Sequence, residues 1–217
     1  MKVFELNPTN PEPELIAQIA SFLKKGGVIA YPTDTLYGLG GDGFSPEVHH
    51  RIMILKGREG TKPFPYIIDS ANRIYQWRLK LSVAATALAK TFWPGPVSLV
   101  LKGSDELPRH IFDESGTICL RVPQNQIACA IARALDGLLV STSANPSGLT
   151  PACCAREAMG YFRGEIAAVV DGGPSVCRLP STIVDVTGDQ ALIIREGAVA
   201  ADKIQAVAER AIRKGND

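Results

Sequence analysis

Residues 26–41 read Gly26-Gly27-Val28-Ile29-Ala30-Tyr31-Pro32-Thr33-Asp34-Thr35-Leu36-Tyr37-Gly38-Leu39-Gly40-Gly41, and the order of elements can be worked out from them in both directions. Upstream, Leu15, Ile16, Ile19, Phe22 and Leu23 recur at helical spacing over residues 14–25, and Gly26-Gly27 stops that helix as a C-cap does. Val28–Tyr31 is short and apolar and reads as a buried strand. Downstream, Pro32 to Ser45 carries Gly38, Gly40, Gly41 and Gly43 and is expected to be a loop. Ser45-Pro46-Glu47 then supplies an N-cap, a proline at the first helical position and an acid in the first turn. Val48, Ile52 and Leu55 continue that helix on one face, and it runs out near Lys56-Gly57-Arg58.

The alternation continues along the chain. Residues 66–68 read as a strand, 71–78 and 82–91 as helices, and Trp93-Pro94-Gly95-Pro96 breaks the second of these. Strands are expected at 97–102 and 117–122, a helix at 124–135, and a strand at 138–142 that feeds a loop over 143–150. A helix near 153–162 leads to a strand at 167–170. Residues 182–186 and 191–195 flank Thr187-Gly188-Asp189-Gln190 as the arms of a hairpin would. An amphipathic helix over about 200–213 ends the series. Interleaved strands and helices with one late hairpin imply an α/β fold built on a mixed, twisted sheet.

The 217 residues suit one domain. Hydrophobic residues make up 46% and charged residues 21%, the balance of a globular protein. A net charge of +1 gives no whole-molecule field for nucleic acid, so any polyanion site must rest on a local cluster. No apolar run approaches the roughly 18 residues of a membrane span, and the N-terminus lacks a signal-peptide pattern, so a cytoplasmic location is expected. The five cysteines form no C-x-x-C pair and the three histidines no ligand motif, so free thiols and no structural zinc are expected.

Three segments could carry chemistry. Residues 31–41 offer hydroxyls, a tyrosine ring and glycines that would let backbone amides approach a ligand; a structural turn is the alternative. Lys56-Gly57-Arg58-Glu59-Gly60-Thr61-Lys62-Pro63 places three cations at a helix end. They suit either the helix dipole or a phosphate clamp. Ser141-Thr142-Ser143-Ala144-Asn145-Pro146-Ser147-Gly148 crowds four hydroxyls and an amide at a strand end, fit for phosphate oxygens or for an ordinary Ser/Asn turn. Arg121 and Arg195, each at the end of a strand, could join a ligand site or form surface ion pairs.

Taken together, these segments resemble the YrdC-like threonylcarbamoyl-AMP synthase family in its short, single-domain form. Residues 26–40 are similar to its opening motif, Lys56-Gly57-Arg58 to its K-x-R motif and Ser143-Ala144-Asn145 to its S-x-N motif. Trp93-Pro94-Gly95-Pro96, Leu120-Arg121-Val122-Pro123, Pro180-Ser181-Thr182-Ile183-Val184-Asp185 and Arg195-Glu196-Gly197 recur in the family in the same order. The resemblance implies a single domain over residues 1–217, with a core at about 10–200 and flanking helices around a large, concave, cationic cavity. It implies a reaction of L-threonine, bicarbonate or carbon dioxide, and ATP with magnesium, giving threonylcarbamoyl-AMP and pyrophosphate for tRNA modification. Thr35, Arg121, Ser141 and Ser181 would hold the threonine. Arg58, Lys62, Ser143, Asn145, Thr150 and Arg195 would line the nucleotide side, with Lys56 adding charge, and the product would pass to a threonylcarbamoyl transferase complex.

The chain departs from the family over Glu59-Gly60-Thr61-Lys62-Pro63-Phe64-Pro65, and it has Ile67 and Ile68 near where some longer relatives have a histidine. A module that binds double-stranded RNA or tRNA without adenylation is the main competing reading. A paralogue that carbamoylates another acceptor and a sugar-phosphate lyase are more distant ones.

Overall fold

The computed structural model describes residues 1–57 and 64–215. In chain order the elements are β1 (Lys2–Glu5), α1 (Pro13–Lys24), β2 (Ile29–Tyr31), β3 (Gly38–Gly40), α2 (Pro46–Lys56), β4 (Tyr66–Ile67), α3 (Asn72–Gln76) and α4 (Val83–Phe92). There follow β5 (Val97–Lys102), a 3-10 turn (Arg109–Ile111), β6 (Thr117–Arg121), α5 (Gln126–Ala134), β7 (Leu139–Val140) and β8 (Thr142–Ser143). The last are α6 (Ala155–Phe162), β9 (Ala168–Asp171), β10 (Thr182–Asp185), β11 (Leu192–Arg195) and α7 (Ala201–Gly215). They form two mixed sheets, ordered β1-β9-β2-β3-β8 and β11-β10-β5-β6-β4-β7. The expected α/β fold with mixed sheets is present, and the expected hairpin is the antiparallel pair β10–β11.

The two faces of the second sheet differ. Leu99, Leu101, Ile118, Leu120 and Val184 lie in the larger hydrophobic core with Leu88 of α4 and Ile204 of α7. Each such side chain taken out of water contributes about 1.5–3 kcal/mol. The alternate positions carry Ser98, Cys119, Arg121, Ile183 and Arg195. Period-2 alternation therefore puts polar and cationic groups on one face because the apolar set is held on the other. The first sheet is covered on both sides: Ala30 and Val169 join the larger core, while Ile29, Tyr31, Ala168 and Val170 join a smaller one with α1 and α5.

Three strands differ from the sequence expectation. β1 lies in a stretch read without any element and pairs in parallel with β9. The single strand expected at 138–142 is interrupted at Ser141, whose backbone N–H turns to Pro65 O at 2.8 Å, so β7 and β8 join different sheets. The expected loop after β2 contains β3, paired with both β2 and β8. Its glycines explain why it was hidden. A Cβ on Gly38 would meet the Tyr31 ring, and one on Gly40 would run into the Val140 carbonyl. These glycines let strands and a ring pack closely; they are not there to admit a ligand.

Gly40→Ala therefore overpacks the junction between the sheets. A destabilisation of about 3 kcal/mol is expected, read as a lowered thermal midpoint with the fold otherwise retained.

Candidate functional site

Helix α2 starts where Ser45 Oγ accepts from Val48 N at 3.3 Å, and it ends at Gly57, whose left-handed backbone (φ 59°) turns the chain away. Its last residue, Lys56, is 1% exposed. The Nζ donates to Ser143 O at 2.6 Å, Ser143 Oγ at 3.3 Å and Asn145 Oδ1 at 3.1 Å. Asn145 Nδ2 in turn donates to Pro146 O at 2.9 Å and Leu149 O at 2.6 Å, and Ser147 N donates to Lys56 O at 2.8 Å. The K-x-R and S-x-N segments thus meet through Lys56, 87 and 89 residues away from its partners in the chain. A lysine this enclosed is not the solvated helix-end cation that the dipole alone would explain.

On the polar face of the second sheet, Arg121 ends β6 and is 5% exposed. Its Nη1 donates to Thr35 Oγ1 at 3.3 Å and lies 3.3 Å from Asp34 Oδ1. Thr35 is set by its neighbours: its N–H donates to Thr33 Oγ1 at 3.1 Å, and the two threonine hydroxyls are 3.0 Å apart. The opening motif and the strand-terminal arginine, read separately in the sequence, therefore form one cluster.

Beside it lies a second polar cluster. Ser181 Oγ is 3.0 Å from Ser98 Oγ, and Arg195 donates through Nη2 to Ser181 O at 2.8 Å and to Ser181 Oγ at 3.2 Å. Cys119, two residues before Arg121 on β6, has its thiol pushed up to about 12 by burial; Arg195, Arg121 and a hydrogen bond with Ser98 pull the other way. Partial burial, and then Arg121, hold Arg195 below the usual guanidinium range. Arg195 is exposed on the edge strand β11 and Arg121 is buried, so the polar face carries one cation at its rim and one within it.

Ser141 lies between β7 and β8, two residues before Ser143 in the chain. Thr150 is exposed, and its carbonyl accepts from Tyr161 OH at 2.8 Å. Arg58 and Lys62 lie outside the described residues. Sequence reading missed Asp34, Ser98 and Cys119. Asp34 was in plain view inside the motif, whereas Ser98, a polar residue in an apolar strand, and Cys119, two residues before Arg121, could have been found by strand parity.

A separate cavity of about 440 Å³, lined by His49, Met53, Phe64, Tyr66, Arg109 to Glu114, contains none of the expected site residues. His49 braces α2 there: Nδ1 donates to Ser45 O at 2.7 Å and Nε2 is 2.8 Å from Tyr66 OH. A carbonyl can only accept, so the neutral ring carries its proton on Nδ1 and leaves Nε2 as an acceptor facing Tyr66 OH, whose proton is shared with Ile111 O at 3.3 Å.

Two outcomes are expected from these contacts. Lys56→Met leaves several acceptors without a donor, so it should lower stability by roughly 3 kcal/mol in denaturant unfolding. Burial holds the His49 ring below its ordinary value near 6.5, so the neutral form is favoured by the fold. Its contribution is present above pH 6.5 and is lost as the pH falls through the folded value. His49→Gln should flatten this acid limb of a stability-against-pH curve.

Among the described residues, no helix is long and apolar enough to cross a membrane. The Sua5/YciO/YrdC family model, described as telomere recombination, matches residues 21–197. A threonylcarbamoyl-AMP synthase of Thiobacillus denitrificans is 39% identical over 165 residues, covering 76% of this chain and 87% of that one. A threonylcarbamoyl-AMP synthase of Pyrococcus abyssi is 32% identical over 188 residues, covering 87% of this chain. The chain spans only 55% of that relative's length. The crystal structure of Sua5 from P. abyssi complexed with L-threonine superposes with a TM-score of 0.88 at 30% identity, over 95% of this chain and 61% of that one. With the motifs, the fold and the matched length in agreement, the chain belongs to the Sua5/YciO/YrdC family.

Proposed function

We propose that this protein is a nucleotidyltransferase that makes threonylcarbamoyl-AMP and pyrophosphate from L-threonine, carbon dioxide or bicarbonate, and ATP. The observation that carries the reading is that the opening motif reaches both groups: its Thr35 accepts from Arg121, and its β3 pairs with β8, whose Ser143 is held by Lys56. The similarity to named synthases, and to a structure holding threonine, supports it.

The residues divide the work. The Arg121 fork takes the threonine carboxylate in the two-point manner that a guanidinium allows, with Thr35, Ser141 and Ser181 around it. Arg58, Lys62, Arg195 and Thr150 line the nucleotide side, with the Ser143–Asn145 loop fixed by Lys56. The threonine amine adds to carbon dioxide and loses a proton, leaving a carbamate. A carbamate oxygen then bonds to the α-phosphorus as its bond to the pyrophosphate oxygen breaks. No protein nucleophile is needed. Magnesium enters as part of the nucleotide substrate, bound mainly to its phosphate oxygens and water. The fixed cations lower the repulsion among the assembled anions, and enclosure protects the carbamate from water. The adenylate then passes to a transferase that modifies a tRNA adenosine, and a cytoplasmic location goes with this reading.

Pyrophosphate release from magnesium ATP should require threonine and bicarbonate together. Arg58→Ala should lower kcat/KM by about 100-fold. Folded protein that binds ATP, releases no pyrophosphate under any combination and binds double-stranded RNA would replace this reading with the RNA-binding one.

A further inference from the structure

Asp34 has no part in the reaction as described, and its surroundings are unlike those of four other aspartates at turns and strand ends. Asp42 Oδ1 accepts from Phe44 N at 2.9 Å, Asp171 Oδ1 from Gly173 N at 2.9 Å, and Asp185 Oδ1 from Thr187 N at 2.8 Å. Asp113 Oδ1 accepts from Thr117 N at 2.7 Å. Each of these carboxylates closes a turn on its own backbone. Asp34 does not. Both of its oxygens are buried, and neither has a hydrogen bond among the described residues.

What Asp34 has is Arg121, with Nη1 3.3 Å from Oδ1 and the two side chains 12% and 6% exposed. Taking a carboxylate out of water without N–H donors is costly, and one ion pair offsets that cost only in part. The turn itself does not use the carboxylate, because Thr33 Oγ1 already accepts from Thr35 N and donates to Leu36 O at 2.6 Å. The carboxylate is therefore placed for the arginine. Arg121 has five N–H donors, and the contacts with Thr35 and Asp34 both use Nη1. Among the described residues, Nε and Nη2 make no hydrogen bond, which leaves them for a ligand.

We propose that Asp34 is a positioning residue for the amino-acid substrate: its carboxylate pins Nη1 of Arg121 and so aims the rest of the guanidinium at the substrate's carboxylate. This rests on the reading of Arg121 as the partner of that carboxylate. Two-point binding of a carboxylate depends on the plane of the fork, so a freely turning arginine keeps its charge but loses the geometry. The inference makes Asp34 matter for carboxylate-bearing ligands and not for the nucleotide.

The test is calorimetric titration of the full chain with L-threonine, with L-threoninol (the alcohol that lacks the carboxylate) and separately with magnesium ATP. Asp34→Asn keeps the shape and removes the charge. It should weaken threonine about tenfold or more while threoninol and ATP stay within about twofold. Asp34→Glu keeps the charge at a longer reach and should fall between the unaltered protein and Asp34→Asn. Equal weakening of threonine and threoninol, or no weakening of either, would overturn the inference. So would failure of both variants to fold, since a carboxylate that only aims Arg121 is not required for folding. A different result separates the underlying reading: if the unaltered protein binds ATP but no threonine, the synthase proposal itself fails, and this inference falls with it.

Discussion

An ammonium buried to 1% exposure at the end of a helix has to be solvated by the protein, and Lys56 is solvated in part by Ser143 O, Ser143 Oγ and Asn145 Oδ1. That requirement ties two loops together that neither sheet would join. It fixes where α2 ends, because Nζ must reach the loop after β8. It also fixes that loop, because Asn145 spends its Nδ2 hydrogens on Pro146 O and Leu149 O while its Oδ1 receives the lysine. A shift in one of these groups leaves another buried and unmatched, so the cluster acts as a unit. The brace between His49, Ser45 O and Tyr66 OH holds the same helix one turn from its start.

From this anchor, the remainder of the candidate site follows from strand parity. Ile183 pairs with both Arg195 and Ser98, and Arg121 pairs with Ile67. Leu99 pairs with Leu120, so the next position of that register sets Ser98 opposite Arg121. One row across the sheet therefore runs Arg195, Ile183, Ser98, Arg121, Ile67. It turns from cationic to apolar as it passes from the free edge towards α5, where Ile67 packs with Ile127 and Ile131. A one-residue slip of β6 would exchange Arg121 for Leu120 and bury a guanidinium in the larger core. There it would lose Thr35 and Asp34, and that cost holds the buried arginine on the polar face.

How much of this could be read beforehand differs between elements, for physical reasons. Helices α1, α2, α4 and α7 and strands β5, β6 and β10 carry enough periodic apolar residues to declare themselves, and their bounds lie close to those expected. β3 carried no such signal. It is Gly38-Leu39-Gly40, and its glycines answer to the Tyr31 ring and the Val140 carbonyl, which lie elsewhere in the fold. β1 is a marginal four-residue strand with one buried side chain, Phe4, and it exists because β9 offers an edge. For the site, the residue types were legible and their grouping was not. That Lys56 reaches Ser143 and Asn145, or that Arg121 meets Thr35 and Asp34, depends on contacts 86–89 residues apart. Local pattern does not encode these.

The near-neutral chain shows why net charge was a poor guide here. A net charge of +1 gives almost no field at a distance, and salt screens most of what remains. Inside the fold the counting is different. Arg121 contributes to holding Arg195 below its usual range, and burial keeps the Cys119 thiol neutral. Asp34 compensates Arg121 from the buried side only. The charge that matters to a ligand is therefore local to the sheet face and cannot be read from the total. On the reading proposed above, the ligands are small anions held by a few fixed cations, whereas a long polyanion must be attracted from solution and contacted across many phosphates.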